Sequence, residues 1–231
     1  NFSNERAHAE FALRSLETGK ATALLNRLVR QRKLPRDGRG PLIELVGTAG
    51  GAGELAILFS QLKSDGFDPA VHARVLTALA RAARLRNTRP TGDLSGVGKF
   101  LNSDDRAIHT AAVHLVGAWK QVPQVPALLV IAAEGDDAAF DSLVTIRGRK
   151  VVQGLKQLAA ADKPIATRQA AARALGAINL KSSLAEIFAV LKATEDANAA
   201  LELWRELLGG KGAGTALAEG VARAQLPKPV V

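Results

Sequence analysis

The chain contains no cysteine in 231 residues. Without a thiol it can form no disulfide, hold no thiolate metal site or iron–sulfur cluster, offer no cysteine nucleophile and attach no c-type haem covalently. The compartment stays open, because an oxidising one permits disulfides without requiring them. Methionine is absent too, even at the first position, where Asn1 stands. The expectation from this is an excised segment of a larger protein, with a processed, secreted chain as the second explanation. Aromatic residues make up only 4% against 47% hydrophobic residues, mostly Ala, Leu and Val. A sandwich or barrel would favour β-branched and aromatic side chains, whereas small and unbranched ones suit closely packed helices. No apolar run reaches the roughly 18 residues of a membrane-spanning helix, so no span is predicted.

The charge that is present is mildly basic, +9 overall. It is weighted to the N-terminus: nine basic and four acidic side chains lie within residues 1–39, while residues 100–163 are balanced. A dedicated nucleic-acid binder more often carries one concentrated basic stripe, so a solvated surface rich in arginine is the simpler reading.

Taken in order, apolar periodicity predicts helices over 4–17, 20–33, 42–49, 54–63, 69–86, 94–101 and 104–120. Pro123 and Pro126 open the next helix, and Asp136–Asp137 start another that is interrupted at Gly148 and resumes through Leu158. The clearest unit runs from Asp162 to Leu191, a helix pair too small to bury its own apolar faces. Helices over 196–208 and 215–225 follow, and Pro227 and Pro229 make residues 227–231 an extended tail. Asp68 with Pro69, and Ser103, are predicted to cap their helices. The better-patterned helix of each pair starts near residues 4, 38, 69, 104, 136, 164 and 196. That near-constant period predicts stacked antiparallel helix pairs.

Period and pattern together resemble HEAT repeats. The match is best at Asp162, with Arg168 six residues on and AAARALGAI following, and weaker at DPAVHARVLTALA and SDDRAIHTAAVHLVGAW, where His72 and His109 replace the arginine. The resemblance implies an all-α fold, a right-handed α-α superhelix (solenoid) of about six to seven HEAT-like pairs over residues 1–226. It specifies fold and not activity. The stretch VHARVLTALARAARLRN, with LNSDDRAIHTAAVHLVGAWK after it, is also similar to the HEAT segment of large multidomain bacterial haem-binding proteins. That similarity implies a spacer or docking platform between redox modules, in an extracytoplasmic setting.

No catalytic set emerges. His8, His72, His109 and His114 lack metal-ligand spacing, and the repeat explains His72 and His109. GTAGGAG and GGKGAGT lack the order of a phosphate loop and read as turns. Asp136 and Asp137 read as helix caps, and Trp119 and Trp204 as packing residues. On the HEAT convention the better-patterned helices line a concave side. Arg74, Arg81 and Arg84 would then face a groove, extended by Arg106, Thr110 and His114, with Arg173 further along. Asp137, Asp141, Glu202 and Glu206 would make the later part acidic. A groove of mixed sign suits a protein or peptide partner, with nucleic acid as the alternative. The expected function is a non-catalytic interaction scaffold with no cofactor and no metal.

Overall fold

The computed structural model describes Val29, residues 34–210 and residues 212–224. The predicted helix over 4–17, that over 20–33 apart from Val29, the tail at 227–231, and His8 lie outside the described residues. Among the described residues the chain is entirely helical, as its composition predicts. No helix among them is long and apolar enough to cross a membrane. The described residues divide into two compact units, parted between Gln121 and Val122.

In the first unit, α1 (Leu42–Ala49), α2 (Ala52–Lys63), α3 (Pro69–Arg86) and α4 (Arg106–Ala118) are joined by short turns and a 3-10 segment, Ser95–Asn102. The boundaries of α1 and α3 coincide with those predicted. The 18-residue α3 is the central element, packed against α1, α2 and α4. Its Val71, Val75, Leu76 and Leu79 are buried, as are Leu55, Leu58, Phe59 and Leu62 of α2. Trp119, just past α4, is fully enclosed. Its ring meets Phe59 edge to face at 4.9 Å, and its carbonyl accepts from Arg89 Nη1 at 2.7 Å.

Gly47 explains how α1 reaches α3. A Cβ at this position would lie 2.8 Å from both the Cβ and the carbonyl oxygen of Ala78. The two backbones therefore approach more closely than any side chain at residue 47 permits. The glycines of GTAGGAG thus serve packing as well as turning: Gly50 ends α1, and the Gly51 N–H donates to Glu54 Oε2 at 2.8 Å.

In the second unit, α5 (Val125–Ala133), α6 (Asp137–Ile146), α7 (Arg149–Leu158), α8 (Ile165–Asn179), α9 (Leu184–Ala193), α10 (Ala197–Leu208) and α11 (Ala213–Ala224) follow one another. The interruption at Gly148 is complete: Arg147 at φ 59° and Gly148 at φ 97° leave helical space, and α6 and α7 become separate helices. Here α8 is central, packed against α6, α7, α9 and α10. Leu143, Leu155, Ala171, Leu175, Ile187 and Leu191 form the buried interior.

Several predicted caps shift. Ser103 does not cap α4; its hydroxyl accepts from Asp105 N–H, while Asp105 Oδ1 accepts from Ala107 N–H at 2.8 Å and Ile108 N–H at 3.3 Å. A shorter, charged acceptor two residues nearer the helix displaces the hydroxyl. Asp105→Ala is expected to cost about 1 kcal/mol, read as a lowered urea midpoint with an unchanged slope. Asp68 holds the N-cap position before Pro69, but its carboxylate takes Arg36 Nε at 2.9 Å instead of the helix amides. Asp136 and Asp196 do cap α6 and α10 with their side chains.

The Asp162 unit is also refined. The helix starts at Ile165, because Pro164 at ψ 141° keeps the preceding turn extended. Asp162 pairs with Lys163 at 2.9 Å, whose hydrogen bond holds the carboxyl below its ordinary value. Arg168 turns instead to the previous helix: buried, it donates from Nε to the Ala159 carbonyl, 3.3 Å away at the C-terminus of α7. A cation there meets the negative end of the helix dipole.

Candidate interaction site

The six residues singled out for the interaction surface do not share one environment. Arg74, Arg81, Arg84, Arg106 and His114 belong to the first unit and Arg173 to the second. Arg74 is already engaged. Its Nε and Nη2 donate to Glu44 Oε1 at 3.0 and 2.8 Å, and its Nη1 donates to the Gly38 carbonyl at 3.1 Å. It clamps α3 to α1 and the loop before it, so its charge is largely matched. Arg81 and Arg84 lie on the exposed face of α3 with no ion pair among the described residues. Leu85 stands beside them, 72% exposed. Arg106 is exposed and His114 half-buried, each on the same four-residue spacing along α4 as Thr110.

Arginines just beyond the stripe serve the fold. Arg86 Nη2 donates to the Gly47 carbonyl at 3.1 Å, and burial lowers the guanidinium from its ordinary value. Arg89 holds the Trp119 carbonyl.

Two of the histidines bind nearby loop backbone. His72 Nε2 lies 3.2 Å from the Phe67 carbonyl, with its ring against Phe100, and His109 Nδ1 lies 2.6 Å from the Leu101 carbonyl. Each sits one turn into its helix and ties the incoming loop to it. No cluster of His, Cys, Asp or Glu able to hold a metal occurs among the described residues. Both tryptophans pack: Trp119 as above, Trp204 half-buried with its ring 6.1 Å from that of Phe188. The acidic pair Asp136–Asp137 divides its work, Asp136 capping α6 while Asp137 is exposed.

The most site-like feature is a cleft in the second unit, about 480 Å³ in volume, over the middle helix α8. Its origin is the size of side chains. Ala170, Ala174, Ala177 and Gly176 make α8 low, while α6 and α10 rise on either side. At Gly176 the neighbouring helix closes in: a Cβ there would lie 2.5 Å from Leu207 Cδ2. Phe140 and Val144 of α6 and Leu207 of α10 complete an apolar floor.

The rim is charged. Asp137 and Asp141 stand one helical turn apart on the α6 wall, and Glu206 stands on the α10 wall. Arg173 rises from α8 between them and reaches Glu206 Oε1 at 3.4 Å through Nη1. Asp137 and Asp141 have no ion pair among the described residues. Glu202 is exposed but does not line the cleft.

The sequence reading anticipated the acids and Arg173 and missed the floor. The available signal was the run of small residues at three- and four-residue spacing from Ala170 to Ala177, which marks a lowered helix face. The cleft brings together no nucleophile with a base and no metal-ligand set; it offers an apolar trough and a rim with two unmatched carboxylates and one Arg173–Glu206 pair. No family model, curated protein or solved structure matches this chain.

Proposed function

We propose that this chain is a HEAT-type array of helix pairs acting as a non-catalytic scaffold that binds a segment of another protein. The observation that carries the reading is the cleft over α8, with its apolar floor of Phe140, Val144, Ala174 and Leu207 and its mixed charged rim. Grooves of this make-up recognise polypeptide: apolar side chains fill the trough and the rim fixes register. The serial packing of helices within each unit supports the repeat assignment. So do polar links at about one sequence period, such as Arg74 to Glu44 at 30 residues, Lys99 to Asp65 at 34 and Arg173 to Glu206 at 33. The unmatched Asp137 and Asp141 weigh against a phosphate backbone at this cleft. The narrower likeness to haem proteins assigns no residue of this chain to a haem, and the scaffold role does not depend on it.

A photo-reactive benzophenone amino acid at Ala177, an exposed position on the cleft lining, tests the reading. Irradiation in cells expressing the chain is expected to give a discrete protein adduct. Adducts confined to nucleic acid would transfer the function to the free arginines Arg81, Arg84 and Arg106. No adduct at all would overturn the assignment of the cleft.

A further inference from the structure

We infer that the occupant of the α8 cleft is a cationic amphipathic segment, with lysine or arginine flanking an apolar anchor. The inference rests on the scaffold reading and adds the chemistry of the partner. The rim holds three carboxylates against one guanidinium, and that guanidinium already leans on Glu206. Asp137 and Asp141, four residues apart, sit about 6 Å apart on one helix face. Two basic side chains one turn apart on a partner helix, or one bidentate guanidinium, match that spacing. Between the rims, Phe140, Val144, Ala174, Ala177 and Leu207 offer room for an apolar side chain.

Charge elsewhere on the chain sharpens the argument. The molecule carries a net +9, so at long range it repels a cation. A cationic segment that binds must do so through a local field of the opposite sign. The cleft supplies one at short range, where screening by salt is incomplete. An acidic segment would be attracted by the whole molecule and repelled at this rim.

Fluorescence anisotropy on the full chain tests this with three labelled probes: a short amphipathic peptide of leucine and lysine, the same peptide with glutamate for lysine, and a DNA duplex. The lysine peptide is expected to bind. The double variant D137N/D141N is expected to weaken it on the order of tenfold, with binding also falling as salt rises. D104N, an exposed carboxylate of the first unit, is expected to change nothing, and circular dichroism melts check that each variant folds. Preference for the glutamate peptide overturns the inference while leaving a peptide-binding cleft in place. So does lysine-peptide binding indifferent to D137N/D141N. Binding of the duplex alone, unchanged or strengthened by the same double variant, would overturn both the inference and the scaffold reading.

Discussion

Trp119→Ala is expected to destabilise the first unit by about 3–5 kcal/mol, the largest effect of any single truncation proposed for this chain. The indole is fully buried, and it is the largest of the fully enclosed side chains. It stands at the end of α4, where it closes over Phe59 of α2. Removing it leaves a cavity walled by two helices that cannot both collapse into it. The indole N–H has no acceptor among the described residues. Trp119→Phe therefore forfeits no hydrogen bond and is expected to cost roughly half as much. Urea unfolding with an unchanged slope reads both. Equal losses for Ala and Phe would show that something other than filled volume makes this site matter. Trp204, the second of two tryptophans, remains as a fluorescent reporter of the second unit in either variant.

Gly47→Val is expected to cost about 3 kcal/mol or more, by overpacking instead of by a cavity. The new Cβ would meet the Ala78 Cβ and carbonyl oxygen at 2.8 Å and its Cα at 3.0 Å, and backbone atoms cannot rotate away. Relief requires α1 and α3 to separate, which also pulls the Gly47 carbonyl from Arg86. The gain in helix propensity over glycine, up to about 1 kcal/mol for the simpler Gly47→Ala, does not offset this. Pairing Gly47→Ala with Ala78→Gly is expected to recover part of the loss, since one of the three crowding atoms is then gone while the carbonyl oxygen and Cα stay. Full recovery, or none, would mean that the close approach is wrongly located.

Much of this was legible in the chain itself, wherever one helix sufficed to decide. The boundaries of α1 and α3 follow from Pro41, Pro69 and their apolar periodicity. Asp136 caps α6 as its position suggests, and Gly148 breaks the helix because its φ of 97° suits glycine. What escaped depends on neighbours. Whether Ser103 or Asp105 caps α4 is a competition between two acceptors that only geometry resolves. Periodicity puts Arg74 in one stripe with Arg81 and Arg84, but Glu44, thirty residues earlier, pairs with it. The cleft was half visible. Its acids could be counted on α6 and α10, but a trough exists only because α8 lies between them with small side chains outward. A helical wheel shows that alanines share a face; it does not show that taller helices flank it.

The spacing of the polar links has a consequence for how the chain acquires this structure. Among the described residues, side-chain hydrogen bonds of longer range close spans of 25 to 39 residues, from Gln169–Thr194 to Arg86–Gly47. The entropic cost of closing the longest exceeds that of the shortest by only about 0.4 kcal/mol. No contact in that set demands a distant encounter before others can form. Contacts within helices are local, so each unit is expected among the faster folders, in the microsecond-to-millisecond range of helical bundles. Nearly equal closure costs also leave topology almost silent about where ordering begins. That choice passes to local packing, and in the first unit the buried aromatic contact of Phe59 and Trp119 is a place for it to begin. Truncating Trp119 should therefore slow refolding as well as speed unfolding, whereas an exposed substitution such as Asp104→Asn should do neither.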